Sequence, residues 1–283
     1  MKIDLHTHSS ASDGTQLPGE VIRSAAEAGL DVVALTDHDT TAGWEEAAEA
    51  AREHAVAFVP GTEVSCQTDD GISVHLLSYL QDPQDRALDE VMQRARRSRR
   101  TRAERMVELI AEDYPISWEQ VLDQVVGDAT VGRPHIADAL VAAGIAQTRS
   151  EAFSTVLHPR SGYYVGHYAP DPVTAVRLVR QAGGVPVMAH PLARVRGRTV
   201  GQEVFDAMIE AGLAGLEIAH RDNPPEARAV LSQMAAEHDL IVTGSSDYHG
   251  SGKPNELGEN LTSEQSLRRI MAEAGSGTQV VRP

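Results

Sequence analysis

Short apolar, β-branched runs recur along this chain, and most are followed within a few positions by histidine, aspartate or glutamate. In the first 80 residues Ile3-Asp4-Leu5-His6, Asp31-Val32-Val33-Ala34-Leu35-Thr36, Ala57-Phe58-Val59-Pro60 and Ser73-Val74-His75-Leu76-Leu77 read as strands. Between them Pro18 suits the first turn of a helix that runs through Val21, Ile22, Ala25 and Ala26 and stops at Gly29. An alanine-rich helix follows from about Trp44 to His54. The pattern returns after about residue 170, where helices ending near Gly183, Gly212 and His238 lead into Val185–Ala189, Gly215–Ile218 and Leu240–Thr243. About seven short strands alternating with helices predict a parallel sheet covered by helices, either a closed or nearly closed βα barrel or a doubly wound open sheet. The middle of the chain, residues 82–168, breaks the alternation with a charged helical stretch over Asp85–Asp113 and shorter ones over Trp118–Val126, His135–Ala143 and Ser150–Leu157. It reads as a helical insertion, a substrate-recognition subdomain between two halves of a barrel formed by residues 1–81 and 169–283.

The strand ends carry the chemistry. His6 and His8 are two apart, so an extended backbone points both the same way. Asp13 lies in the next loop, His38 follows the second strand, Glu63 the third, and His75 lies in the fourth. His190 follows Val185–Ala189, and Asp247 with His249 follows Leu240–Thr243. In βα barrels the carboxyl ends of the strands converge on one face, where active sites lie. Nine ligand-type side chains are too many for one ion, since a zinc or manganese site uses about three to six donors. Two or three divalent ions sharing carboxylates are implied, with Mn2+ the first expectation and Zn2+ or Fe2+ alternatives. Such a cluster suits phosphate ester hydrolysis by metal-activated water. Neither a Walker-type phosphate loop nor a Gly-x-Ser-x-Gly elbow is present to support another nucleophile.

Composition narrows the partners. A formal net charge of −16 argues against capture of long duplex nucleic acid, but not against a short anionic substrate. The single cysteine, Cys66, excludes a disulfide framework and a zinc site built mainly on thiolates. No apolar run approaches the roughly eighteen residues of a membrane span, and no secretory signal opens the sequence, so a cytoplasmic location away from membranes is expected. Oligomeric state leaves no trace in the sequence.

His6-x-His8, Asp13-Gly14, Thr36-Asp37-His38, Gly61-Thr62-Glu63, His75, Ala189-His190-Pro191 and Ser246-Asp247-x-His249 resemble, in order, the motifs of the PHP (polymerase and histidinol phosphatase) family. The resemblance implies a distorted (β/α)7 TIM-like barrel with a trinuclear centre. In that arrangement His6, His8, Glu63 and Asp247 would hold one ion and Asp13, His38 and His249 a second. Glu63 would bridge to a third, bound by His75 and His190. The insertion's Gly132-Arg133-Pro134-His135-Ile136-Ala137 resembles the branch that removes the 3′-phosphate of nucleoside 3′,5′-bisphosphates, related members of which trim short RNA from its 5′ end. The expected substrate is thus a small phosphorylated nucleotide or short RNA.

Seven arginines crowd residues 94–105 and cannot all face one way on a helix. Arg100 with Arg133 is a candidate phosphate clamp, and His135 and Arg194 are further candidate substrate contacts. Two alternatives remain at this level. One is a histidinol-phosphate-type phosphomonoesterase, against which the arginine-rich insertion speaks. The other is a metal-bound nucleotide sensor without turnover, against which the complete ligand set speaks.

Overall fold

The structure is a computed structural model, and it describes residues 1–125, 129 and 131–283. The end of the expected Trp118–Val126 helical segment therefore lies outside the described residues. Seven strands form one sheet in sequence order: β1 Ile3–Asp4, β2 Val32–Leu35, β3 Ala57–Gln67, β4 Ser73–Tyr79, β5 Val185–Met188, β6 Gly215–Ala219 and β7 Ile241–Gly244. An isolated parallel bridge between Thr7 and Tyr248 joins the two ends and nearly closes the sheet into a barrel. Helices α1 (Pro18–Glu27) and α2 (Trp44–Glu53) connect the first three strands. Helices α7 (Pro172–Gln181), α8 (Gln202–Glu210) and α9 (Pro225–Glu237) precede β5, β6 and β7, and α10 (Glu264–Glu273) follows β7.

One strand departs from the parallel expectation. β4 pairs antiparallel with both β3 and β5. The cause is the five-residue connection after Gln67, too short for the crossover that parallel neighbours require. It turns through Gly71 at φ 82°, a conformation that glycine adopts without steric cost. The reversal matters for the site. It places the first half of β4, with His75 opposite Ser65, at the same end as the loops that leave the parallel strands.

The core fills in layers. Leu5, Ala34, Val59, Leu77, Val187 and Ile241 come together from five of the strands and the residue after β1. Outside the sheet, α1 and α2 pack Val21, Ile22, Ala47 and Ala51 against Val33 and Phe58. The insertion contains α3 (Arg86–Ala111), α4 (Trp118–Leu122), α5 (Arg133–Ala142) and α6 (Arg149–Ser154). Its own core joins Met106 and Ile110 of α3 to Val121, Ile136, Leu140 and Leu157. Leu88 and Met92, from the first turns of α3, instead pack into the layer that α7, α8 and α9 form on the barrel. One 26-residue helix thus belongs to both bodies and fixes the insertion to the barrel. Among the described residues no helix is long and apolar enough to cross a membrane.

Inside the barrel the fully buried Tyr79 hydroxyl donates to the Leu5 carbonyl at 2.9 Å, tying β4 to the segment that carries His6 and His8. Tyr79→Phe keeps the ring and strands that carbonyl, so denaturant titration should show a loss of about 1–2 kcal/mol; no change would mean the bond does not tie the two strands.

Candidate metal centre

All nine sequence-selected ligand candidates converge at the end of the barrel where β1, β2, β5, β6 and β7 finish. Three groups could each hold an ion: His8, Asp13, His38 and His249; His6, His8 and Asp247; and His38, Glu63 and His75. The grouping differs from the expected one: His8 joins the Asp13 set, His38 joins Glu63 and His75, Glu63 is not grouped with His6 and Asp247, and His190 falls in none of the three. His190 stands at the edge, its Nε2 3.5 Å from Glu63 Oε1 and accepting from Arg196 Nη1 at 3.0 Å.

The surrounding structure aims these side chains. Glu217, a carboxylate in the otherwise apolar β6, is fully buried. It accepts from His6 Nδ1 and from the His190 backbone N–H, both at 2.9 Å, which turns His6 Nε2 toward the cluster. Asp37 accepts from the Ser9 backbone at 2.8 Å and from the Ser9 and Ser12 hydroxyls at 2.6 Å each, holding the loop that presents Asp13. Asp39 accepts from the Ser65 amide and hydroxyl, 2.8 Å each. His190 and Asp247 have positive φ (30° and 55°), as does Asp39 (56°), so left-handed backbone gathers at the ligand positions.

Burial sets the electrostatics. It would hold the His6 and His8 imidazoles neutral, but neighbouring carboxylates outweigh it. Glu217, Glu63 and Asp247 keep His6 well above its ordinary pKa, and Asp247, Glu63 and Asp13 push His8 up to about 9. Glu63 and Asp247 are in turn held well below the carboxylate range against burial, Glu63 by His38 and His75, Asp247 by Lys253 and Arg196. Burial prevails at His249, which falls to about 4 with Lys253 and His8 adding to the effect. The donor set fits divalent cations. Imidazoles and carboxylates face one another across one enclosed space, and the buried His38 Nδ1 and His249 Nε2 have no hydrogen-bond partner.

The candidate substrate residues separate. Arg100 is exposed and pairs along its own helix with Glu104, outside the convergence. Arg194 is also exposed, and Arg196, at the other end of the short 3-10 turn Arg194–Arg196, is the one that reaches the cluster. Its guanidinium touches Asp247 Oδ2 at 2.5 Å and Asp222 Oδ2 at 2.7 Å. Lys253 Nζ meets the same Asp247 oxygen at 2.9 Å. His135 is buried and caps α5 by accepting from the Gly132 N–H at 3.1 Å. Arg133 lies half-buried over Phe153 and Tyr164. Sequence reasoning passed over Glu217, Arg196 and Lys253. Only Glu217 carried a signal, as a charge inside an apolar strand.

A buried cluster of this composition at a barrel mouth defines a protein built to bind metal. Residues 4–121 match the PHP domain family model. The chain is 31% identical to a 5'-3' exoribonuclease of Haemophilus influenzae, over 92% of this chain and 94% of that protein. It is 32% identical to a 3',5'-nucleoside bisphosphate phosphatase of Chromobacterium violaceum, over 89% and 88%. A crystal structure assigned as a metal-dependent phosphoesterase, from Bifidobacterium adolescentis, superposes with a TM-score of 0.94 at 46% identity, covering 96% of both chains. The chain belongs to the PHP family of metal-dependent phosphoesterases.

The sign of the site's pH dependence follows from these shifts. His8 is raised from 6.5 to about 9 on folding, so the stability it contributes is present in full below pH 6.5 and lost as pH rises through 9. His6 acts in the same direction. Denaturation of chelator-treated protein should therefore show falling stability between pH 6.5 and 9, and manganese, which displaces these protons, should flatten the fall. A chelated protein equally stable across that window would contradict the assignment.

Proposed function

We propose that this chain hydrolyses the phosphate ester of a small nucleotide, namely the 3′-phosphate of nucleoside 3′,5′-bisphosphates, the 5′ end of short RNA, or both. The observation that carries the reading is the convergence of eight ligand candidates in one largely buried cluster, with His190 at its edge, beside an arginine-bearing helical cap. His6, His8, Asp13, His38, Glu63, His75, His190, Asp247 and His249 are the residues that would hold two or three divalent ions, Mn2+ first among them. Such ions, when bound, supply an acidified water and charge stabilisation for the oxygens of the reacting phosphate.

The chain's own residues set the stage for that chemistry. Glu217 and Asp37 fix the His6 ring and the Asp13 loop before any ligand arrives, so no reorganisation is needed during reaction. Arg196 and Lys253, at the outer oxygen of Asp247, place N–H donors at the rim where phosphoryl oxygens would lie. The insertion covers the Asp13 side. Arg149 of α6 donates to the Asp13 carbonyl at 3.3 Å and pairs with Asp138 of α5, which supports residues 82–168 as a substrate-recognition subdomain closing over the cluster. The names of the two curated relatives support a nucleotide or RNA substrate.

The test is phosphate release, with added manganese, from adenosine 3′,5′-bisphosphate, a 5′-phosphorylated RNA oligomer and histidinol phosphate. Nucleotide preference is the expected result, whereas preference for histidinol phosphate, or release from none, would sink the reading. Asp13→Asn and His249→Asn should each lower kcat by at least about a hundredfold, roughly 2.7 kcal/mol of barrier, while the circular dichroism spectrum stays that of the wild type.

A further inference from the structure

A carboxylate oxygen has about two lone-pair sites, and the outer oxygen of Asp247 faces more donors than that. Arg196 Nη2 stands 2.5 Å from Asp247 Oδ2, Lys253 Nζ 2.9 Å and His220 Nε2 3.7 Å. The other oxygen, Oδ1, turns inward, 3.4 Å from both His6 Nε2 and His8 Nε2. Asp247 thus faces the cluster with one oxygen and is held from behind by the other.

The surplus donor is His220. It follows β6, is fully buried, and its Nε2 has no hydrogen-bond partner among the described residues. Its Nδ1 accepts from the Asp222 backbone N–H at 3.0 Å, so the neutral ring carries its proton on Nε2, the atom facing Asp247. A buried N–H without an acceptor is costly. Capping the Asp222 N–H needs only one acceptor, which an asparagine would supply, so the second ring nitrogen goes beyond that task.

The backbone around the ring is held from several sides. Arg228 Nη2 donates to the His220 carbonyl at 2.7 Å, and Asn223 Nδ2 donates to the Glu217 and Ile218 carbonyls at 2.9 and 3.2 Å. The Leu192 N–H, two residues after His190, donates to Asn223 Oδ1 at 3.2 Å. His220 is thus fixed at the end of the strand that carries Glu217. Its two rivals are not. The Arg196 and Lys253 side chains are long and lie at the rim, 28% and 32% exposed. A phosphate oxygen that accepts from either one draws a donor away from Asp247 Oδ2.

We infer that His220 is a positioning residue for Asp247. When Arg196 or Lys253 turns to a phosphate, the His220 Nε2–H takes the vacated place on Oδ2 and keeps Oδ1 facing the cluster. This rests on the phosphoesterase reading, which supplies the phosphate. The exchange moves hydrogen bonds and no proton. A shift of roughly 0.5–1 Å in the outer oxygen brings His220 from 3.7 Å into hydrogen-bond range.

The direct test is a crystal structure of the manganese-loaded wild type with inorganic phosphate. The distance from His220 Nε2 to Asp247 Oδ2 should fall from 3.7 Å to about 3.2 Å or less. Bound phosphate with the distance unchanged, or an ion on His220 Nε2, overturns the role. In solution, equilibrium dialysis measures manganese affinity with and without phosphate in the wild type, His220→Asn and His220→Gln. Asparagine keeps an acceptor for the Asp222 N–H but falls short of Asp247, whereas glutamine restores a donor near the Nε2 position. Without phosphate the three should agree within about twofold, and with phosphate His220→Asn should bind about tenfold more weakly. His220→Gln should recover most of that loss. Equal weakening of His220→Asn in both conditions marks a merely structural histidine and overturns the proposal, as does no weakening in either. Should His220→Asn not fold, the crystal structure decides. If phosphate binds none of these proteins, the phosphoesterase reading fails first. Combined Arg196→Met and Lys253→Met substitutions then free Oδ2 without an anion. In that background His220→Asn should weaken manganese binding about tenfold more than it does alone, and an equal effect overturns the proposal.

Discussion

The structure of the site depends on one carboxylate. Glu63 is 1% exposed, and its two oxygens stand within 3.5 Å of five imidazoles: His75 at 2.7 Å, His8 at 3.0 Å, His6 and His38 at 3.3 Å, and His190 at 3.5 Å. A buried carboxylate is tolerated only with compensating positive charge and hydrogen bonds. His75 Nδ1 supplies the hydrogen bond at 2.7 Å, and His6 and His8, both raised well above their ordinary pKa, supply the charge. Its place in the middle of β3 follows from the hairpin, because β3 extends beyond its parallel neighbours to pair with the reversed β4. The barrel's single antiparallel excursion is thus also what puts an anion at the centre of the histidines.

Around this centre charge alternates outward. Glu217 lies behind His6, Arg196 and Lys253 lie behind Asp247, and Arg99 lies behind Asp39. Each layer compensates the one inside it, so a whole-chain charge of −16 coexists with a rim of cations where a phosphate would approach. The insertion continues the same order. α3 enters the barrel's outer layer at Leu88 and Met92 and the insertion core at Met106 and Ile110, and between those anchors it turns Arg99 and Arg102 inward.

Much of this was legible in the sequence because the barrel's signals are local. Strand runs, glycine stops and ligand types at strand ends lie within a few residues of one another, and all nine cluster residues were found that way. What escaped was set by distant contacts. The direction of β4 depends on how long a crossover must be, not on the composition of the strand. Arg100 and Arg102 look alike in a run of arginines, yet one faces solvent beside Glu104 and the other is buried, and helical phase against the neighbouring elements decides which. Arg194 and Arg196 flank a single residue of a short turn, so which of them reaches Asp247 is a matter of loop geometry. Glu217 was readable in principle, since a charge inside an apolar strand requires a partner, but the identity of that partner, His6, lies 211 residues away.

The central claim is that nine side chains, with Glu63 at their centre, would form one site for several ions. Native mass spectrometry of protein loaded with manganese and dialysed measures this directly. The account predicts two or three ions per wild-type chain and fewer on Glu63→Gln. A wild-type chain that retains at most one ion, or a Glu63→Gln chain that retains as many as the wild type, would contradict it.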